Sequence, residues 1–484
     1  MSSALRRDDA VVEPAHDDTF VRGLSEAIGG PLGEHAVRRR RWDRLRSPAA
    51  IVLMLGLLTF GVHFIQKYPC QSGAWNDYSQ YRHFCYTDVL ALYYSEELHE
   101  GKVPYFDHPV EYPVLTGEFM GVIGLPVHNY ALTHPNASQA QIFYNLNAIV
   151  LIAFGMATLA AVLALRRRRP WDAAMLAVAP AMFFTATINW DLFAIGLTTF
   201  FLCAWARRMP VLAGVLLGLA AAAKFYPLFL AGPLLLLALR TNRWRAALTT
   251  VFMGAVAWAA VNAPVFFAAR DGWDRFWSLS KTRGIDWGTL WYIFDHFPRG
   301  KNQYGFEWAH RLAGDIPRLN TVYEALFVLG CLGIAVLALM APRRPRLAQL
   351  CFLVIAVFLL TSKVWSQQFV LWVIPLAVLA RPRWGAFLAW QVAEVCYFLA
   401  FYGELLNASG KSVFPEGVFV LASSLRWLTL AALVGAVVWD ILQPERDVVR
   451  DSYGEDPDGG EFQGAPDVDW VQKLRTAEPF PIRA

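Results

Sequence analysis

Residues 38–65 read RRRRWDRLRSPAAIVLMLGLLTFGVHFI, a basic run ending at Arg46 followed by a predominantly apolar stretch over 48–65. A long polar lead precedes this stretch and no small-residue cleavage site follows it. It therefore reads as a retained membrane anchor, not as a signal-peptide core. Lys and Arg concentrate on the cytoplasmic side of such anchors. Residues 1–47 are thus expected to form a cytoplasmic N-terminal tail, with residue 67 outside the membrane.

The rest of the chain extends this reading. Of its 484 residues, 56% are hydrophobic and 17% are charged, against about 25% charged in an ordinary soluble domain. A single soluble core stops growing near roughly 250–300 residues. This much Leu, Ala, Val and Phe must face lipid, which excludes a water-soluble enzyme and makes membrane lipids obligatory partners. The net charge is only +4, and nucleic acid is not expected as a partner.

Further basic clusters end apolar runs: the arginines at 166–169, Arg207 with Arg208, Arg240 with Arg243 and Arg245, Arg343 with Arg344 and Arg346, and Arg381 with Arg383. If all lie inside, each stretch between clusters crosses an even number of times. Spans are expected near 48–66, 142–165, 172–188, 191–206, 210–224, 226–240, 246–268, 319–341, 347–362, 367–380, 384–402 and 416–439. The fold expected is an all-α polytopic membrane protein of about twelve transmembrane helices over 48–440. Several runs fall short of the roughly 20 residues a full crossing needs, so they must end at a water-filled cavity or lean on longer neighbours. The run 114–127 reads as re-entrant or interfacial, because one more crossing would put the arginines at 166–169 outside. Residues 441–484, rich in Asp, Glu, Gly and Pro, read as an acidic, disordered cytoplasmic tail.

This topology leaves two large external loops, 67–141 and 269–318. Cys70 and Cys85 lie in the first; they read either as a disulfide formed in an oxidising compartment or as two unpaired thiols. Polar motifs gather on the same face. The first loop carries Tyr86-Thr87-Asp88, Val103-Pro104-Tyr105 and Asp107-His108-Pro109-Val110-Glu111-Tyr112-Pro113. Hairpins turn at Asn189-Trp190-Asp191, at Lys224-Phe225-Tyr226-Pro227 and at Lys363-Val364-Trp365-Ser366-Gln367-Gln368, and the second loop carries Arg283 and Asp286-Trp287-Gly288.

Lys224 and Lys363 invert the positive-inside pattern, and a charge beside a span is a functional hypothesis by default. With Arg283 they would suit an anionic group such as a phosphate arriving from the lipid; the plainer alternative is snorkelling to the headgroups. Asp88 reads as a general base for a hydroxyl or as a helix cap. Asp191 and Glu111 have similar plain readings, as a hairpin cap and a solvated acid, and His108 alone is commonly a loop residue. No metal-ligand spacing occurs, so neither a metal nor another cofactor is expected.

Taken in order, these motifs resemble glycosyltransferase family 87 of the actinobacterial type, membrane enzymes of the GT-C fold class typified by polyprenyl-phosphate-mannose-dependent α-mannosyltransferases. The resemblance spans 48–440. It implies transfer of a sugar, mannose in the typical case, from a polyprenyl-phosphate donor to a glycolipid or glycan hydroxyl at the external face of the cell membrane, with inversion. It also implies Asp88 as the base, with Glu111 as a possible assistant. Lys224, Lys363, Arg283, Gln368, Tyr226, Tyr112, Asp191 and His108 are then the candidates for holding the donor. A single acid at Thr87-Asp88, where eukaryotic relatives carry Asp-X-Asp, fits a site without metal. The competing readings are a twelve-helix secondary transporter and a lipid-linked sugar translocator, although no six-helix repeat is visible.

Overall fold

In a computed structural model of the protein, the described residues are 18–29, 47–297 and 305–476, so the basic run 38–46 lies outside them. Among the described residues, six helices are long and apolar enough to cross a membrane: Pro48–Cys70, Gln139–Leu165, Trp244–Ala268, Ile316–Met340, Trp384–Ala408 and Glu416–Leu442. Shorter apolar helices run over Asp191–Ala206, Pro210–Ala223, Tyr226–Thr241, Leu347–Thr361 and Gln367–Ala380. Among the described residues the only β feature is an isolated bridge between Pro104 and His108.

Local chemistry starts these helices. Ser47 caps the first, accepting from the Ala50 N–H at 3.2 Å ahead of Pro48, and Ser138 caps Gln139–Leu165 in the same way. Proline at the first helical position gives up no hydrogen bond. The short helices are the buried ones. Leu347–Thr361 and Val370–Ala380 are enclosed almost throughout, whereas only 11% of the apolar window of Ile316–Met340 is buried. Length thus follows environment: lipid-facing helices are full length, and the short ones lean on protein.

One close helix crossing is made by glycine. A Cβ on Gly218 would stand 2.2 Å from the Gly254 carbonyl, and one on Gly214 would stand 2.4 Å from that of Thr250. Only a hydrogen fits there, so Pro210–Ala223 and Trp244–Ala268 meet backbone to backbone, as small residues four apart allow in lipid.

Two expectations are corrected. The stretch 172–188 is not a continuous span: it breaks into Pro170–Ala173, Ala174–Ala177 and Pro180–Thr185. Pro180 cannot continue a preceding helix, and the residue before it is pushed to extended geometry; Ala179 has ψ 121°. The broken segment is nearly all buried, and Gln391 accepts from the Ala181 N–H at 3.1 Å. Irregular backbone at membrane depth is tolerated only when protein encloses it in this way.

The acidic tail is not disordered through residue 476. It folds across the helix ends and pairs with the arginine clusters. Arg166 takes Asp458 in a bidentate pair at 2.8 and 2.8 Å, Arg346 takes Asp447 at 2.7 Å, and Arg240 takes Asp467 at 2.7 Å. Phe462 packs on Trp205 at 4.9 Å. The polar N-terminal region likewise contains a helix, Thr19–Gly29, whose Asp18 accepts from the Trp384 N–H at 2.9 Å. The run 114–127 belongs to a continuous helix, Val114–Thr133, which is not among the six.

Candidate active site

At the opposite end of the bundle from the arginine clusters, the hairpin turns close around a cavity of about 450 Å³. Cys70 and Cys85, Cα atoms 5.7 Å apart, are joined by a disulfide that ties down the segment leading to Tyr86. Thr87 then caps helix Asp88–Ser95 through the Val89 N–H. The Thr87 hydroxyl donates to the Thr187 carbonyl at 2.8 Å, and the Asp88 N–H donates to the Ile188 carbonyl at 2.7 Å. The capping role therefore belongs to Thr87, which leaves the Asp88 carboxylate to face the cavity.

Asn189 organises the centre. Its amide nitrogen donates to Asp88 Oδ2 at 2.9 Å and to the Tyr112 hydroxyl at 2.5 Å. Its oxygen accepts from the Trp190 N–H at 2.7 Å and from Lys224 Nζ at 3.3 Å. Both ends of the amide are engaged, so its orientation follows from the network. Gln368 donates to the same Asp88 oxygen at 3.2 Å, and Tyr86 adds a hydrogen bond.

Burial pushes the Asp88 carboxyl above its ordinary range. The hydrogen bonds from Asn189 and Tyr86 and the charge of Lys224 pull it back, and Asp191 adds to the rise. Glu111 is also raised, by burial first and then by the charge of Asp88. A carboxylate made more basic by dehydration is better suited to taking a proton.

Lys224 stands 4.7 Å from the centroid of the Tyr112 ring and 3.4 Å from Asp191 Oδ1. Arg283 is half exposed at the cavity wall, 3.5 Å from Asp286. Glu111, Tyr112, Tyr226 and Gln368 also line the cavity, and Tyr226 stacks on Trp372 at 4.4 Å.

Three of the expected site residues do not line it. Lys363 points its ammonium at the backbone, donating to the Arg283 carbonyl at 2.6 Å and the Lys281 carbonyl at 3.4 Å. It thus holds the end of helix Arg270–Thr282. Asp191 is fully buried between Lys224 and the Trp372 indole, which donates to it at 2.6 Å. His108 lies between Glu96 and Glu97, 3.4 Å from each, and braces the loop.

Other contributors were not singled out by motif. Arg426, with no exposed surface, donates to the carbonyls of Trp365 and Ser366 at 3.1 and 3.2 Å and lies over the Trp365 and Tyr397 rings. Glu394 is its partner at 2.9 Å. Together they hold the turn that delivers Gln368. Each is an ionisable residue inside an apolar span, and that was the available signal. Among the described residues, no group of three or more His, Cys, Asp or Glu is arranged to hold a metal ion.

The helices and the comparison with known families together define a membrane glycosyltransferase. More narrowly, residues 131–363, a little under half of the chain, match the model of glycosyltransferase family 87. The match begins after Asp88, Glu111 and Tyr112 and ends before Gln368. No curated protein matches the chain. Among solved structures it is similar to the archaeal oligosaccharyltransferase AglB from Archaeoglobus fulgidus, in complex with an inhibitory peptide and a dolichol-phosphate. That similarity has 12% identity and a TM-score of 0.36, and covers 84% of this chain and 56% of that one. This chain thus spans little more than half of that protein's length.

Proposed function

We propose that the cavity transfers a sugar, mannose by family resemblance, from a polyprenyl-phosphate donor to a hydroxyl of a glycolipid or glycan acceptor. The acceptor oxygen attacks the anomeric carbon as Asp88 takes its proton. The bond from that carbon to the phosphate oxygen breaks on the opposite side, which inverts the centre, and the phosphate departs as an anion beside Lys224 and Arg283. Preorganised cations at the point where charge develops do the work of a leaving-group acid. A monophosphate carries little enough charge for two cations to suffice, so no metal is invoked.

The observation that carries this reading is the partly buried carboxylate of Asp88 sharing one cavity with Lys224 and Arg283. A second supports a lipid donor: Phe225 lines both this cavity and a neighbouring apolar groove of about 340 Å³ between Leu217 and Trp277. The positive-inside reading puts the cavity on the external face, with both termini cytoplasmic. Asp88→Asn tests the mechanism. It should lower kcat by at least about 10²-fold while the purified protein still binds the polyprenyl-phosphate sugar. Undiminished transfer by that variant would remove Asp88 from the role of base.

A further inference from the structure

The residues lining the cavity include two chemically different groups that both act on Asp88, one through Lys224 and the other through Tyr86. One group contains Lys224, Arg283 and Phe225, cationic and then apolar toward the groove. The other contains Tyr81, Tyr86, Phe401 and Leu405, and carries no charged side chain. These four pack together against Ile188, Phe398 and Tyr402. The Tyr81 ring lies 6.0 Å from Tyr86 and 6.5 Å from Tyr402.

The second group is held by more constraints than a loop needs for packing. Asp77, Tyr78 and Phe84 all have positive φ, at 49°, 57° and 55°, a backbone conformation that persists in non-glycine residues only where the surroundings enforce it. The enforcement is visible. The Cys70–Cys85 disulfide closes the segment, and Gln66 donates to the Phe84 carbonyl at 2.7 Å. The Tyr86 carbonyl accepts from Lys67 at 3.1 Å and Tyr402 at 3.4 Å. Tyr81, Tyr86 and Phe401 nevertheless remain only partly buried, with ring surface left open to the cavity. No cation of this group lines the cavity for a phosphate to meet, since Lys67 is fully buried behind the Tyr86 carbonyl. A neutral ligand with an apolar face and hydroxyl edges does have matching partners, because aromatic rings supply the face and phenols the edge.

We propose that Tyr81, Tyr86 and Phe401 form the acceptor subsite, in which a neutral pyranose of the acceptor stacks and turns its attacking hydroxyl toward Asp88. This rests on the transfer reading above and assigns the side of the cavity that the donor does not use.

The test measures binding without turnover, so a failure of the transfer mechanism does not enter it. The full chain is placed in lipid nanodiscs, because sugar-headed detergents would compete, and titrated separately with methyl α-D-mannopyranoside and with farnesyl phosphate. Tyr81→Leu and Phe401→Leu keep apolar bulk and remove the ring. Each should weaken the mannoside about tenfold and leave farnesyl phosphate within about twofold, whereas Tyr81→Phe, which keeps the ring and loses only the phenol, should weaken the sugar by less than Tyr81→Leu does. Unchanged sugar affinity in both leucine variants, farnesyl phosphate weakened in their place, or no sugar binding by the unaltered chain would each overturn the assignment. Loss of transfer in Asp88→Asn with these affinities intact would uphold both proposals.

Discussion

Removing the guanidinium of Arg426 should damage both the fold and the site. Arg426 and Glu394 are buried almost completely, with side-chain exposures of 0% and 2%, and lie 2.9 Å apart. In Arg426→Met the Glu394 carboxylate keeps only the Trp390 indole at 3.0 Å, and an uncompensated buried charge of this kind costs about 3–5 kcal/mol. The carbonyls of Trp365 and Ser366 lose their donor in the same step, and the Trp365 and Tyr397 rings lose the cation between them at 4.1 and 4.0 Å. The turn they hold ends at Gln368, whose amide lies 3.2 Å from Asp88. A displacement near 1 Å at a reacting group costs about 10²-fold in rate, so kcat should fall by that order in the fraction that folds. Removing the second charge as well, in Glu394→Leu with Arg426→Met, should recover much of the stability and little of the rate, because the turn still lacks its donor. Thermal unfolding in detergent and transfer kinetics on the two variants separate these effects. A stability loss in Arg426→Met below about 1 kcal/mol with unaltered kcat would refute the reasoning, as would a double variant less stable than the single one.

Two further outcomes follow from the charges. Asp88 works as a base only when ionised and burial raises its pKa, so activity should rise with pH through a limb above the value near 3.9 of a free aspartate. Lys224 pulls that pKa down; Lys224→Met should move the limb to higher pH, and a limb at or below the free value, or one moving down, would contradict the electrostatics. At the other end, Asp458→Asn leaves the fully buried Arg166 without its counter-charge. It should cost about 3 kcal/mol and open residues 444–472 to trypsin, as limited proteolysis with thermal unfolding would register.

Much of the helical layout was legible because its determinants are local. An apolar run bounded by Arg and Pro, as at 48–65 or 416–439, cannot hide its backbone from lipid except as a helix, whatever surrounds it. Tyr86-Thr87-Asp88 and Asn189-Trp190-Asp191 were legible as polar islands in apolar surroundings for the same reason. The run 172–188 misled because its apolar residues are buried in protein, where Pro180 can break the helix without exposing backbone to lipid.

Pairing across the chain was not legible. Arg166 and Asp458 are 292 residues apart and Gln368 and Asp88 are 280 apart, so the acidic tail, whose composition matches disorder, gave no sign that its counter-charges lay at the helix ends. Lys224 and Lys363 carry the same local signature, a cation at a hairpin tip. Yet one faces the cavity and the other turns to the carbonyls of Lys281 and Arg283. Asn189 and Asp191 sit two residues apart on one turn, and the turn puts the amide at Asp88 while the carboxylate goes behind Lys224. The sequence by itself determined that the chain lives in lipid and which few polar residues could meet. Which of them do meet was decided only by tertiary packing, because a side chain's direction is set by the elements it packs against, and those lie hundreds of residues away.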